Sequence, residues 1–343
     1  MTGLKVAVVG ATGAAGGTVL GILAERRFPV GELRLLASER SAGRRITALG
    51  AEHTLEAATP AAVAGVDICF LAAGAGTART LAPAVAAGGG VAVDKSSAYR
   101  ADPEVPLVVP EVNAHTLAAH RGIVSNPNCV ATPLSLVLAP LLRAHGLRHV
   151  TVATYQSATG AGRNLLDELT AQEAAGVAGE AEEHHVYPHV LHRNVVPGGW
   201  TMEGLDTEEE SKVISEVRRV LELPDLALSV STVRVPVAVG HSAAVWIQCE
   251  EAVDAARATE LLTAAAGVRV VDDPANQVYP TPLQAAGGDD VLVGRIRADH
   301  GRPGGIALFW SCDNLRKGAA LNAVQVAELV VAARASAPAA PRT

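Results

Sequence analysis

The sequence predicts an α/β protein in two parts: an N-terminal, doubly wound parallel sheet, then an α+β domain built on a mixed sheet. Three observations carry this. The chain opens on a short apolar stretch, Leu4–Val9, that runs into glycine and then into a helical pattern. Up to residue 124, strand-like apolar runs alternate with helical ones. After Gly146 long strands dominate with few helices between them, which suits an antiparallel or mixed sheet. A chain of 343 residues is long enough to bury two substantial cores.

Composition narrows the class. Hydrophobic residues make up 49% of the chain and aromatics only 3%, so Ala, Val and Leu must fill those cores. A formal charge of −7, with Lys and Arg scattered, offers no footprint for nucleic acid. No apolar run is expected to reach membrane-spanning length, and the chain enters its first strand without a leader pattern. Cys69, Cys129, Cys249 and Cys312 stand far apart with no CxxC pair. That argues against a zinc site or disulfide framework and suits a reducing, cytoplasmic setting. The tract at 175–200 carries His184, His185, His189 and His192 but lacks the Cys or carboxylate set of a defined metal geometry.

Taken in order, Leu4–Val9 reads as a buried parallel strand. Gly10-Ala11-Thr12-Gly13-Ala14-Ala15-Gly16 follows, then a helix with Val19, Leu20, Ile22 and Leu23 apolar. Strand, glycine turn and helix in this order make a dinucleotide-binding entry, because N–H groups at the helix start face a pyrophosphate. The spacing is GxxGxxG rather than GxGxxG, so its place between strand and helix carries the reading. A second strand at 33–37 ends in Ser38-Glu39-Arg40-Ser41-Ala42-Gly43-Arg44-Arg45. An acidic residue here accepts a ribose 2′-OH, whereas arginine accommodates a 2′-phosphate. Three arginines and two serines against Glu39 predict NADP, with Arg40, directly after the strand, the best placed. Further strands are predicted at 66–73, 91–94, 107–109 and 122–124, with a helix at 78–87. Three polar strand ends should converge where such sheets bind ligands: 74–77, 95–100 with Arg100 as an anion-binding candidate, and the turn at 125–129.

That turn is Ser125-Asn126-Pro127-Asn128-Cys129, followed by an apolar segment in which Pro133 suits a first helical turn. Cys129 then precedes a helix N-terminus, where unpaired N–H groups and the helix dipole favour a thiolate. Free cysteine more often behaves as a small buried hydrophobe. The Asn-Pro-Asn approach is a poor core environment, however, and makes Cys129 a candidate nucleophile.

In the second half a strand at 149–156 enters another glycine-rich turn, Ser157 to Arg163, before a helix at 164–174. An amphipathic helix is predicted at 207–221, with Val213, Ile214, Val217, Val220 and Leu221 inward. Glu209 and Lys212 fall three apart at the edge of that stripe, readable as a surface ion pair or as a pair for a zwitterion. Strands are expected at 227–233, 235–239, 243–248, 291–297 and 306–310. His241, after Gly240 at the end of an apolar strand, is polar for its surroundings, and thiolate chemistry at Cys129 wants an imidazole partner. A last helix from 313 through 329 is expected to pack on the first domain, with a frayed tail after residue 335.

Together these motifs resemble the aspartate-β-semialdehyde dehydrogenase family along almost the whole chain. The carrying residues are Gly10-Ala-Thr-Gly13, Leu36-Ala-Ser38-x-Arg40-Ser-Ala-Gly43, Val108-Val-Pro-Glu-Val-Asn113 and Asn126-Pro-Asn-Cys129. Thr154-Tyr-Gln156, Arg234-Val-Pro-Val-x-Val-Gly-His241, Tyr279-Pro-Thr-Pro282 and Asp313-Asn-Leu-Arg-Lys-Gly-Ala-Ala320 complete the set. The resemblance implies a Rossmann-type NADP-binding domain at 1–128, completed by a C-terminal helix at about 313–343, and a catalytic and dimerisation domain at 129–312. It implies reduction of L-aspartyl-4-phosphate to the semialdehyde through a cysteine thioester, an early step toward lysine, threonine, methionine and diaminopimelate. It also implies a homodimer or homotetramer.

By matching positions, Cys129 is the implied nucleophile, His241 the acid/base and Gln156 the acyl-positioning residue. Arg234 clamps the α-carboxylate, Glu209 faces the amino group, and Arg100, Asn128 and Lys212 hold the phosphate. Gly10, Thr12, Gly13, Ala14, Ser38, Arg40, Ser41, Gly160 and Asn314 contact the cofactor. Departures are Lys95 in place of asparagine, Thr159 in place of serine, and His192-Arg193 before Asn194. Two alternatives stand beside this reading. N-acetyl-γ-glutamyl-phosphate reductase shares the chemistry, but its acylated nitrogen carries no charge, so Glu209 discriminates. A non-catalytic NADP-binding paralogue is opposed by Cys129 with His241.

Overall fold

The computed structural model describes residues 3–336, so the expected tail lies almost wholly outside the described residues. The chain divides into two compact units, one of residues up to Asn126 with those from Ala320 onward, the other Pro127–Ala319.

Among the described residues the first unit has eight strands: β1 (Leu4–Val9), β2 (Val30–Ala37), β3 (Arg45–Ala48), β4 (Ala51–Thr54), β5 (Glu56–Ala57), β6 (Ile68–Leu71), β7 (Val91–Asp94) and β8 (Ile123–Ser125). Six form one parallel sheet in the order β5-β2-β1-β6-β7-β8, and β3 with β4 makes a separate hairpin. Both faces of the sheet are covered, which is why its central strands are unbroken apolar runs. On one face Val6, Val8 and Phe70 pack with α1 (Ala14–Glu25) and with Leu321, Val324 and Val330 of the helix Leu321–Ser336. On the other, Ala7, Val9 and Leu71 pack with Ala78, Leu81 and Val85 of α2 (Ala75–Ala87). Residues alternate between the two faces at the strand period of two.

By length and composition the stretch Arg316–Ser336 could cross a membrane, which corrects the expectation that no apolar run is long enough. Its Leu321, Val324, Val326 and Val330 are at most 2% exposed and fill the first core. The predicted strand at 107–109 is reduced to a single bridge, Leu107 with Ser125. Pro106 and Pro110 flank it and supply no N–H to a ladder.

The glycine turn is required by close approach. Gly10 has φ +80°, and a Cβ on Gly16 would lie 2.1 Å from the Gly10 carbonyl oxygen. Gly16→Ala is therefore expected to destabilise the protein by about 3 kcal/mol through backbone displacement. A urea midpoint equal to that of the parent would refute this.

The second unit carries β9 (His149–Tyr155), β10 (Met202–Glu203), β11 (Asp206–Thr207), β12 (Ala227–Ser231), β13 (His241–Gln248), β14 (Val268–Val270), β15 (Val291–Ala298) and β16 (Ile306–Cys312). Its main sheet runs β12-β9-β13-β16-β15-β14; the two outermost pairs are parallel and the three between them antiparallel. After the short α3 (Pro110–Asn113) of the first unit come α4 (Ala131–His145), α5 (Arg163–Ala178), α6 (Glu208–Val220) and α7 (Ala255–Thr263). Helix α4 packs against α6, α7 and β15, so it is apolar almost all round.

Two further expectations change here. Residues 235–239 form no strand, because Pro236 interrupts the donors and Gly240 turns the chain at φ +100°. Instead the stretch runs beside 156–159, with Gln156 N–H donating to Val233 O, Val235 N–H to Gln156 O and Ala158 N–H to Val237 O. The last helix begins at Leu321 rather than 313, after a wide π-type turn at Arg316–Ala320. Asp313 holds that approach in the second unit, its carboxylate accepting from the N–H groups of Gly287, Leu315 and Arg316.

Candidate active site

The site in the second unit grows from the turn before α4. Asn128 Oδ1 accepts from the N–H of Val130 at 2.7 Å and of Ala131 at 3.3 Å, and its carbonyl accepts from Thr132 N–H. These bonds satisfy donors at the helix start and leave Cys129, partly exposed, on a rigid turn. Gly318 lies against it, where an added Cβ would sit 3.2 Å from Cys129 Cβ.

Helix α6 supplies the carboxylates. Three consecutive glutamates open it, and the structure gives each a separate task. Glu210 forms a capping box with Thr207, donated to by Thr207 N–H at 2.7 Å. Glu208 pairs with Lys212 Nζ at 3.0 Å, so Lys212 is tied to Glu208 and not to Glu209 as expected. One turn of helix separates i from i+4, which brings those two together. Glu209, 6% exposed, points inward: its oxygens accept from Asn128 Nδ2 at 3.0 and 3.1 Å, and Oε1 from Gln156 Nε2 at 3.2 Å. Two turns further on the same face, buried Glu216 accepts the backbone N–H of Asn128 at 2.5 Å. The sequence reading missed Glu216. Its only signal was a glutamate beside Val213 and Val217 on the inward stripe.

His241 begins β13 opposite Cys312 of β16 and is fully buried. Its Nε2 lies 3.3 Å from Cys129 Sγ, across 112 positions of sequence. Its Nδ1 receives the Ser157 backbone N–H at 3.0 Å. Burial, and then the Arg234 guanidinium, hold the ring's pKa well below the usual histidine range. Asn314 organises this corner: its Oδ1 accepts from Gly240 N–H at 2.9 Å, Ser157 Oγ at 3.0 Å and Thr159 Oγ1 at 3.2 Å. A Cβ on Gly160 would lie 2.7 Å from the His241 ring and 2.9 Å from Arg234 Nη1, so no larger residue fits there.

Arg234 is 2% exposed. Its Nη1 donates to Ser157 O at 2.7 Å, and its guanidinium lies 4.7 Å from the Trp200 ring centroid and 5.7 Å from that of Tyr187. Its Nε is buried without a hydrogen-bond partner, a donor fitted for an anionic ligand. Both rings sit on the His-containing tract, which α5 ties down: Glu168 accepts from the N–H groups of His185, Val186 and Tyr187. In that tract His185 meets Glu183 and His192 meets Glu182.

In the first unit a cavity of about 230 Å³ opens at the carboxyl ends of β1 and β2, lined by Gly10, Ser38, Glu39, Thr59 and Thr77 among others. Gly13 caps the start of α1, with Thr12 before it and Ala14 as its first residue. Arg40 and Ser41 lie on the short turn after β2, Arg40 exposed and Ser41 buried. Thr77 belongs to the strand end at 74–77 that was expected here, whereas Thr59 escaped the sequence reading, although it follows the parallel strand β5 of the same sheet. Arg100, also in this unit, donates to Lys95 O at 2.6 Å.

A dinucleotide-type sheet in one unit, with a cysteine beside a histidine in the other, places the protein among the oxidoreductases. Residues 5–120 match the family model "Semialdehyde dehydrogenase, NAD binding domain", and residues 138–317 match "Semialdehyde dehydrogenase, dimerisation domain". The chain is 46% identical over 344 residues to the aspartate-semialdehyde dehydrogenase of Streptomyces akiyoshiensis, covering 96% of this chain and 99% of that one. It is 42% identical over 334 residues to the enzyme of that name from Aquifex aeolicus, covering 96% and 98%. Among solved structures, aspartate semialdehyde dehydrogenase II from Vibrio cholerae, complexed with ASA, superposes with a TM-score of 0.92 at 37% identity, covering 97% and 99%. The chain belongs to the aspartate-semialdehyde dehydrogenase family.

Proposed function

We propose that this chain reduces L-aspartyl-4-phosphate to L-aspartate-4-semialdehyde with NADPH, through a thioester on Cys129. The observation that carries the reading is His241 Nε2 at 3.3 Å from a cysteine sulfur just ahead of α4. The shared name of its relatives, and the ASA complex of the Vibrio cholerae neighbour, support the substrate. Cys129 sulfur attacks the acyl carbon; the C–S bond forms as the C–O bond to phosphate breaks. Arg100 and Lys212 meet the charge of the departing phosphate, while Asn128, its carboxamide committed to Glu209 and the start of α4, holds the turn. Arg234 takes the α-carboxylate with its unpartnered Nε, Glu209 the ammonium, and Gln156 orients the acyl oxygen. His241 handles the charge that appears at sulfur and at the carbonyl oxygen.

The first unit fits a nicotinamide dinucleotide: α1 starts directly after the glycine turn, so its first N–H groups can face a pyrophosphate, and the adjoining cavity suits a ribose. Gly10, Thr12, Gly13 and Ala14 would hold the pyrophosphate, and Ser38, Arg40 and Ser41 the 2′-phosphate; the resemblance also assigns Gly160 and Asn314 to the cofactor. When bound, the cofactor supplies the hydride that takes the thioester to the aldehyde level. A homodimer or homotetramer through the second unit rests on the dimerisation-domain match. Cytoplasmic operation, in synthesis of lysine, threonine, methionine and diaminopimelate, fits four cysteines held in no disulfide.

The test is phosphate-dependent oxidation of L-aspartate semialdehyde, with NADP and NAD in parallel and N-acetyl-glutamate semialdehyde as competitor substrate. NADP is expected to support at least about tenfold higher kcat/KM, as one charge-assisted contact allows. Equal rates with NAD would reject the cofactor assignment. Turnover of the acetylated substrate alone would give the function to N-acetyl-γ-glutamyl-phosphate reductase.

A further inference from the structure

Arg234 is held from both ends of one short tract. Its backbone N–H donates to Val196 O at 2.8 Å, and its carbonyl accepts from Val196 N–H at 2.9 Å, an antiparallel bridge. Further along the same tract, the Trp200 ring centroid lies 4.7 Å from the guanidinium carbon. The chain between these two ties is moulded on Tyr187, a 5% exposed side chain whose hydroxyl donates to Gly198 O. Gly199 passes over that hydroxyl at φ +85°, where an added Cβ would lie 2.2 Å from Tyr187 Cζ and Oη. Only glycine fits there, and its turn sends Trp200 back onto the arginine.

The contacts around this buried charge are a carbonyl and two aromatic rings: Ser157 O on Nη1, then Trp200, then Tyr187 at 5.7 Å. Ring faces attract a cation without neutralising it, so the guanidinium keeps its pull on an incoming anion. Its Nε, buried and without a partner, is the donor that would meet one. Arg234 is 2% exposed whereas Trp200 is half-buried, which puts the indole on the solvent side of the fork.

From this arrangement, and resting on the carboxylate role given to Arg234 above, we propose that Trp200 determines specificity for a free α-carboxylate. The indole acts through Arg234. It fixes the plane of the fork, so that a carboxylate meets Nε in that plane, and it keeps water from the contact. Trp200 is a positioning residue, and Tyr187 with Gly199 sets where its ring stands. The substrate class is a small amino-acid aldehyde with its carboxylate unsubstituted, because an amide at that carbon cannot answer the guanidinium charge. A carboxylate far from the reacting carbon is bound equally before and during the reaction, so losing the indole shows in KM and not in kcat.

The test is phosphate-dependent oxidation of L-aspartate semialdehyde and of its α-carboxamide by the parent, Trp200→Phe and Trp200→Leu. On the semialdehyde, Trp200→Leu is expected to raise KM by about tenfold with kcat within about twofold. Trp200→Phe, which keeps a ring face, should stay within about threefold of the parent. On the carboxamide the three enzymes should share one kcat/KM within about twofold. Equal losses in the two variants, a fall in kcat matching the rise in KM, or the same loss on the carboxamide would overturn the proposal. Fluorescence gives a second readout that does not need the leucine variant to fold. The chain has three tryptophans, and the parent spectrum less that of Trp200→Phe isolates Trp200. Its emission should shift with L-aspartate as probe and not with L-aspartate α-amide; an equal response to both, or to neither, also overturns the assignment. Arg234→Lys separates the two readings. If its KM is unchanged, the carboxylate clamp itself fails; if its KM rises while Trp200→Leu keeps the parental value, only the Trp200 assignment fails. If the parent does not turn over the semialdehyde, the functional reading fails and the emission shift alone decides Trp200.

Discussion

Phosphate-dependent oxidation of aspartate semialdehyde falls by about 10³-fold or more when Cys129 is replaced by serine. The replacement is close in size and partly exposed, so the turn held by Asn128, Glu216 and the start of α4 should keep its shape. What changes is the nucleophile: a serine hydroxyl gives up its proton far less readily than a thiol, and the thiolate is the attacking species. No other cysteine can stand in. Burial pushes the Cys69 thiol up to about 12 and that of Cys249 to about 11, and holds Cys312 well above the usual range. Initial rates, together with urea midpoints to show equal folding, make the comparison. A serine enzyme within tenfold of the parent would remove Cys129 from the chemistry.

The second large effect is expected at Arg234. Arg234→Lys should raise KM for the semialdehyde by about 10²-fold with a smaller change in kcat, the mark of lost ground-state binding. A guanidinium presents a planar fork to a carboxylate and keeps its face against an aromatic ring, whereas an ammonium does neither. Here the face lies against Trp200, Nη1 is spent on Ser157 O, and Nε is left for a ligand. Losing one buried charge-assisted contact is worth about 2–3 kcal/mol, which is about that factor in affinity. Steady-state kinetics at saturating phosphate decide it; an unchanged KM would move the carboxylate clamp elsewhere.

The parallel sheet was legible because its signals are local. Leu4–Val9, the glycine turn and the apolar face of α1 follow one another within a few residues, and each constrains only its neighbours. The prolines at 106, 110 and 236 were equally visible, yet apolar content outweighed them, and two predicted strands proved irregular. In the second case the irregular stretch matters more than a strand would, since it lays Arg234 and His241 alongside 156–160.

Sequence alone determined the two-part architecture, the dinucleotide turn and the pairing of one cysteine with one histidine, because strand periodicity, glycine spacing and residue chemistry act at short range. Tertiary structure alone decided the separate tasks of Glu208 and Glu210, that Glu216 holds the nucleophile's turn, and which ring nitrogen of His241 faces Cys129. Those outcomes depend on donors brought in from distant positions, Asn128 to Glu216 and Ser157 to His241, and a hydrogen bond has no direction until both partners are placed.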